Sequence, residues 1–269
     1  MKYLFSFLTL VLFTISANAA EMKLAVTTSF NNSGLSDILI PEIKKDLNLE
    51  VQLLVVGTGQ ALKLGRSGDV DAILVHSKAA EEDFVAQGFG AHRREIMYND
   101  FVLIGPSNDP AGISQSINVA EALKKIREAK SIFVSRGDDS GTHRKEITLW
   151  EKAGESSKDF SANWYREVGS GMGATLNTAS GMDAYVMSDR ASWLKFGNKG
   201  NLKLLFEGDP ILFNQYAYLP VDPRKHPHVK FEQAKRLETW LTSEKAQALI
   251  GAYKIGDETL FTPNAKAED

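Results

Sequence analysis

The sequence predicts an α/β protein of two lobes joined by two chain crossings. Three observations carry that prediction. From residue 22 onward, apolar runs of strand length alternate with segments of helical period, which implies a mostly parallel sheet covered on both faces. Turn-rich breaks at Gly105-Pro106-Ser107-Asn108-Asp109-Pro110 and Gly208-Asp209-Pro210 divide the alternation into two series, the first break being of the kind that connects domains. The run 215–219 then turns back toward the first series, so the chain crosses twice, near 101–105 and 212–216.

In the first series, 22–26 reads as a buried strand that empties into Thr27-Thr28-Ser29 and Asn31-Asn32-Ser33-Gly34. A helix with Leu35, Ile38, Leu39 and Ile43 on its apolar face follows, expected to kink or restart at Pro41, which has no amide donor. Residues 50–56 form a second strand running into Gly57-Thr58-Gly59-Gln60 and a helix from Ala61. Residues 70–75 form a third, with His76-Ser77-Lys78 at its exit. Two more apolar runs, 94–98 and 101–104, are split by Asn99-Asp100.

The second series places a helix at 119–128 and an apolar strand, Ile132-Phe133-Val134, ahead of Ser135-Arg136-Gly137-Asp138-Asp139-Ser140-Gly141-Thr142-His143 and a further helix. A helix containing Trp164, Tyr165 and Val168 is expected next, then Gly169-Ser170-Gly171-Met172-Gly173, a helix, a strand at 184–187, a helix opened by Ser188-Asp189-Arg190-Ala191, and a strand at 202–206. Tyr185, Trp193 and Phe196 read as core, and Arg190 and Lys195 as helix surface. The C-terminal helices 229–241 and 244–253 carry no chemical cluster and are expected to cover the first lobe, with disorder confined to the polar tail after Phe261. The expected division is 1–20 as a signal peptide, 21–102 with 214–269 as lobe I, and 103–213 as lobe II.

The signal peptide rests on Lys2, the apolar stretch 3–15 and the small-residue site Ala17-Asn18-Ala19. That stretch falls short of the ~20 residues a membrane-spanning helix needs, so a soluble protein exported to the periplasm is expected, with its mature chain starting near Ala20 or Glu21. Cysteine is absent, which excludes a disulfide scaffold, a thiolate metal site, a catalytic thiol and a lipid-anchored N-terminus. With 31 basic and 34 acidic residues scattered along the chain, no footprint for nucleic acid is apparent.

Chemistry concentrates where strands empty into helices. Such corners leave backbone N–H groups and the positive end of the helix dipole unengaged, and ligands of α/β sheets gather beyond the carboxyl ends of the strands. The 135–143 stretch is the most specific, since Arg136 adds a permanent forked cation and Ser140 and Thr142 add hydroxyls suited to tetrahedral oxygens. A plainer reading pairs Arg136 with Asp138 or Asp139 and leaves Ser140 as a helix cap; both hold if the aspartate orients the guanidinium. Thr28 with Ser29, and Thr58, are hydroxyl corners in the other lobe that could equally be a cap and a tight turn. Gly171-Met172-Gly173 is a further candidate corner, balanced against close helix packing. The 57–65 stretch lacks the lysine of a phosphate-binding P-loop, and Asp139-Ser140-Gly141 has no second copy to form an aspartic-protease dyad. Ser140 with His143 suggests a hydrolase pair, but His143 is expected on the surface, and His226 and His228 flank Pro227 in what reads as a solvated loop.

Taken together, Thr27-Thr28-Ser29 with Ser33-Gly34-Leu35, Val56-Gly57-Thr58-Gly59-Gln60, Gly68-Asp69-Val70-Asp71-Ala72, Tyr98-Asn99-Asp100-Phe101, the 135–143 stretch, Gly171-Met172-Gly173 and Tyr185-Val186-Met187-Ser188-Asp189-Arg190 resemble the periplasmic tungstate-binding proteins of ABC importers, the TupA family, over nearly the whole mature chain. The family's first loop usually has a further Thr on each side of the motif, where this chain has Val26 and Phe30. The resemblance implies a type II periplasmic-binding fold that closes over one oxyanion and docks on a membrane permease. It implies contacts from Thr28, Ser29, Thr58, Arg136, Ser140, Gly141 and Thr142 to tungstate or molybdate, with no cofactor, no cationic metal, no catalysis and a monomeric state. The Arg136 to Thr142 spelling is also similar to phosphate-binding proteins, with Asp138 in the place of their acceptor. Phosphate therefore stands as the rival ligand, and an exported phosphoryl-processing enzyme as a reading from a different class.

Overall fold

The computed structural model describes residues 19–266, so the expected signal peptide lies outside the described residues except for its last two positions. Strand β1 (Ala20–Thr27) alternates its side chains between two cores, Met22, Leu24 and Val26 entering one and Ala25 the other. Burial on both faces is what a central parallel strand requires, and β1 lies between β2 (Leu49–Val56) and β3 (Ala72–Val75), parallel to both. Helix α1 (Thr28–Ser33) ends at Gly34 with φ 84°, and α2 (Leu35–Leu47) restarts there rather than at Pro41. The proline is accommodated inside α2 because Pro41 and Asp37, whose carbonyl loses its donor, both face water. Helices α3 (Thr58–Ser67) and α4 (Lys78–Ala86) complete this part of the lobe.

The two apolar runs split by Asn99-Asp100 are one strand, β4 (Arg94–Pro106). The second series then runs through α5 (Val119–Glu128), β5 (Phe133–Ser135), α6 (Gly141–Lys152), β6 (Tyr165–Glu167), α7 (Met172–Met182), β7 (Tyr185–Asp189), α8 (Arg190–Lys195) and β8 (Leu202–Phe206). Strand β9 (Phe213–Pro220) returns, followed by α9 (Phe231–Leu241), α10 (Glu244–Ala252) and three short strands, β10 (Lys254–Ile255), β11 (Glu258–Thr259) and β12 (Thr262–Pro263). The main sheet has the order β2-β1-β3-β9-β4-β7-β5-β6, with β8 and β12 also pairing β4. Away from the middle its neighbours are parallel, but β4 and β9 run antiparallel to theirs. The mostly parallel sheet expected from the alternation is thus two parallel sets joined by an antiparallel pair that carries the crossings.

Strand β4 pairs with β9 over Arg94–Asp100, then with β7 from Phe101 onward. At the change of partner the buried Asn99 faces Asn214, whose Nδ2 donates to the Asn99 Oδ1 at 2.9 Å. Beside it Arg190, expected on a helix surface, is 14% exposed and grips the Asp100 carboxylate through Nε and Nη2, both at 2.7 Å. Lobe I holds one core under α2, α9 and α10 and another under α3 and α4; lobe II holds one with α5 and α6 and one with α7 and Trp193. Leu212 packs in the core with α5 and α6, and Tyr216 in the core under α2, α9 and α10.

Three further expectations are corrected. Tyr165 opens an edge strand rather than lying on a helix: it pairs with Phe133 and stacks on it at 5.9 Å, inside an aromatic cluster with Trp150 and Phe160. The tail beyond Phe261 is ordered at least through β12, which pairs with Met97 and Tyr98 of β4. The Gly105-Pro106 break lies within β4, where Gly105 permits close packing: a Cβ there would lie 2.4 Å from Tyr185 Cδ1. Tyr185 cannot swing away, since its hydroxyl donates to Asp109 at 2.8 Å and accepts from the Ala111 N–H at 2.9 Å. Gly105→Ala is therefore expected to cost about 1–3 kcal/mol, read as a lower melting temperature in a thermal scan.

Candidate functional site

Four helix starts face the space between the lobes. In lobe I, Thr27 caps α1, its Oγ1 accepting from the Phe30 N–H at 3.2 Å, and leaves Thr28 and Ser29 at the cleft. Gly57 starts α3 with no side-chain cap, so the first N–H groups of that helix have no intrahelical acceptor. In lobe II, Ser140 caps α6, its Oγ accepting from the His143 N–H at 3.3 Å, and Gly171 starts α7 uncapped. All seven sequence-predicted contacts, Thr28, Ser29, Thr58, Arg136, Ser140, Gly141 and Thr142, line one cavity of about 790 Å³. A neighbouring cavity of about 580 Å³ is lined by Gly171, Met172 and Gly173, and shares Thr28, Ser29 and Arg136 with the first.

The 135–143 loop is braced by its own side chains. Arg136 donates to Asp138 Oδ2 through Nε at 3.2 Å and Nη2 at 2.6 Å, while Asp138 Oδ1 accepts from the Ser140 N–H at 3.2 Å. Burial raises the Asp138 carboxyl, but the Ser140 and Arg136 hydrogen bonds outweigh it and hold the group below its ordinary value. Asp138 is thus a carboxylate with both oxygens engaged, and Arg136 Nη1 has no hydrogen-bond partner among the described residues. The Arg136 carbonyl accepts from Gly169 N at 2.8 Å, which ties the loop to the segment leading into α7. Asp139, at φ 55°, pairs with Arg144 through two hydrogen bonds of 2.9 and 2.8 Å.

His143 is not the surface side chain expected. Its Nδ1 accepts from the Asp139 N–H at 3.0 Å, and its ring is 16% exposed. The ring therefore holds the loop and is not directed at Ser140 Oγ, which removes the hydrolase pair. His226 and His228 likewise anchor their loop, their Nε2 atoms lying 2.9 Å from the carbonyls of Arg66 and Gly68. No group of three His, Cys, Asp or Glu able to hold a metal occurs among the described residues.

In lobe I the structure adds residues that sequence reasoning missed. Ser29 Oγ lies 3.0 Å from Thr27 Oγ1, 3.1 Å from His76 Nε2 and 3.0 Å from Tyr216 Oη. His76 and Asn214 line the cavity with it. Burial pushes the His76 imidazole down to about 4, against a hydrogen bond to Asn214, so it is neutral near pH 7. An imidazole 3.1 Å from a serine is also the arrangement of an activated nucleophile, but a base with so low a pKa is a poor proton acceptor near neutrality. The signal for His76 was its place at the carboxyl end of β3, where ligands of parallel sheets gather. Val26 and Phe30, where the family pattern carries hydroxyls, are core residues.

At the neighbouring cavity, Asp189 caps α8, its Oδ1 accepting from the Ser192 N–H at 2.9 Å. Burial raises its carboxyl above the ordinary value, partly offset by the Ser192 hydrogen bonds and the positive charge of Arg136. Lys195 lines the same cavity and donates to the Asn32 carbonyl of α1 at 2.6 Å, linking the lobes. The site as a whole offers hydroxyls, backbone N–H groups at helix starts and the guanidinium fork of Arg136, a donor set for an oxyanion.

Residues 14–245 match the PBP superfamily domain. The chain is 49% identical to the tungstate-binding protein TupA of Peptoclostridium acidaminophilum over 247 residues, 90% of this chain and 85% of that one. Among solved structures it is similar to the tungstate-binding protein TupA of Desulfovibrio alaskensis G20, with a TM-score of 0.86 and 46% identity, covering 92% of this chain and 100% of that one. A structure described as the tungstate ABC transporter from Geobacter sulfurreducens matches with a TM-score of 0.78 and 46% identity, over 87% of this chain and 98% of that one.

Proposed function

The chain belongs to the TupA family of tungstate-binding proteins, and we propose that it is a solute-binding protein that captures tungstate between its lobes and delivers it to the membrane permease of an ABC importer. The observation that carries this reading is Arg136 at the wall shared by the two cavities, braced by Asp138 and with Nη1 unpartnered among the described residues. Thr28, Ser29 and Thr58 approach from lobe I and Ser140, Gly141 and Thr142 from lobe II. In this reading the lobes are 21–102 with 214–269, and 103–213, and they close by bending where β4 and β9 cross. The protein acts as a monomer in the periplasm, after removal of residues 1–20. No helix among the described residues is long and apolar enough to cross a membrane.

Hydroxyls, helix-start N–H groups and Arg136 supply donors that suit a dianion carrying no proton, as tungstate, molybdate and sulfate are near neutral pH. Hydrogen phosphate needs an acceptor for its proton, and Asp138, which accepts from Arg136 and Ser140, retains acceptor capacity, so phosphate stands as the rival ligand. A phosphoryl-processing enzyme would need a nucleophile with a competent base, and neither Ser140 with His143 nor Ser29 with His76 provides one. Calorimetric titration with tungstate, molybdate, phosphate and sulfate is the test. Tungstate is expected to bind more tightly than phosphate, and the reverse order would overturn the reading.

A further inference from the structure

His76 and Gly141 belong to opposite lobes and meet across the cleft. A Cβ built on Gly141 would lie 3.2 Å from His76 Cε1 and 3.7 Å from Nδ1, so less than the thickness of a methyl group is open between the ring and the loop it faces. The backbone of Gly141 does not demand glycine, since its φ is not among the positive values. What an added methyl would meet is the imidazole.

The ring is held from behind. Its Nε2 is 3.1 Å from Ser29 Oγ, and its face packs on Tyr216 at 4.8 Å between centroids with the planes tilted by 54°. Tyr216 is buried, and its hydroxyl is 3.0 Å from the same Ser29 Oγ. A ring fixed on two sides, with less than a methyl's space before the facing backbone on the third, is a good spacer. It adds no net charge that would attract or repel an oxyanion, and its bulk is what an advancing Gly141 loop would meet.

We propose that His76 is a specificity-determining residue, a spacer that stops lobe closure against Gly141 and so sets the width of the oxyanion cage. This deepens the reading that the cleft binds a tetrahedral oxyanion, and rests on it. Tungstate has longer metal–oxygen bonds than the sulfur–oxygen bonds of sulfate. A spacer of fixed width lets opposing donors reach a large oxyanion from both lobes at once. A smaller one is left with one lobe's donors at full length, and hydrogen bonds stretched past ordinary distance weaken steeply.

The test is a double-mutant cycle by calorimetry with sodium tungstate and sodium sulfate, using wild type, His76→Ala, Gly141→Ala and the double variant. Gly141→Ala retains the backbone N–H but thickens the contact, and is expected to weaken tungstate binding at least ten-fold. Adding His76→Ala should recover most of that loss, and His76→Ala alone should raise the sulfate-to-tungstate affinity ratio at least ten-fold. If His76 acted only by orienting Ser29, the losses in the double variant would add rather than cancel, and the selectivity of His76→Ala would be unchanged; either result overturns the spacer. Full tungstate affinity in Gly141→Ala would overturn it as well. Wild type that binds neither anion would instead refute the oxyanion reading, and the inference with it.

Discussion

Arg136→Ala is expected to weaken tungstate binding by roughly 1.5–3 kcal/mol, the scale of a charged hydrogen bond, or about ten- to a hundred-fold in the dissociation constant. The loss has two sources. The obvious one is the cationic donor at the wall shared by both cavities. The second is Asp138, which Arg136 covers through Nε and Nη2 and which the same contacts keep ionised. Without the guanidinium, that carboxylate faces the incoming dianion with one oxygen bare, and like charges repel. Arg136→Ala/Asp138→Asn should therefore bind more tightly than Arg136→Ala alone. Arg136→Lys should fall between wild type and alanine, because an ammonium keeps the charge but cannot hold Asp138 with a fork while reaching outward. Calorimetry on the four proteins measures each comparison, and unchanged affinity in Arg136→Ala would reduce the residue to a brace for its loop.

The positions that carry this argument were legible in the sequence for a physical reason. Corners where strands empty into helices are local features, written in consecutive residues, and the seven predicted contacts all reach one cavity because parallel strands present their carboxyl ends on one side. What escaped the sequence depends on partners far along the chain. Asn99-Asp100 looks like a break because polar residues seldom interrupt a buried strand, but Asn99 is satisfied by Asn214 and Asp100 by Arg190. His76 looks like any polar residue after a strand until Tyr216 and Gly141 close around it. Tyr165 carries helix-compatible spacing, and only pairing with Phe133 makes it a strand. Pro41 is the converse case: a local rule predicts a break, and exposure of the affected carbonyl removes the need for one.

Glu146→Gln is expected to remove a pH dependence of stability that originates directly beneath the anion loop. Glu146 lies on α6, buried, where its carboxyl is met by Ser135 Oγ at 2.8 Å, Tyr165 Oη at 2.7 Å and Trp150 Nε1 at 3.3 Å. Burial pushes the group up to about 7, although the hydrogen bonds from Tyr165, Ser135 and Trp150 pull the other way. An unfolded glutamate titrates near 4.5. Between those values the folded protein holds a proton that the unfolded chain has lost, so the contribution is fully present below about 4.5 and disappears as pH rises through about 7. A shift of this size corresponds to about 3 kcal/mol, or roughly 6–12 °C in melting temperature for a chain of this size. His76 works in the opposite direction: its folded value near 4 lies below the unfolded 6.5, so its contribution is present above about 6.5 and is lost as pH falls through about 4. A wild-type melting profile alone therefore mixes the two. The difference between wild type and Glu146→Gln cancels His76 and isolates the carboxyl, because the amide reproduces the protonated form by accepting from Tyr165 and donating to Ser135. The two proteins should melt alike at pH 4, and the variant should be the more stable at pH 8. Parallel profiles would mean that the Ser135, Tyr165 and Trp150 donors stabilise an ionised Glu146 beneath Arg136, and that the strand end supporting the anion loop carries a fixed negative charge.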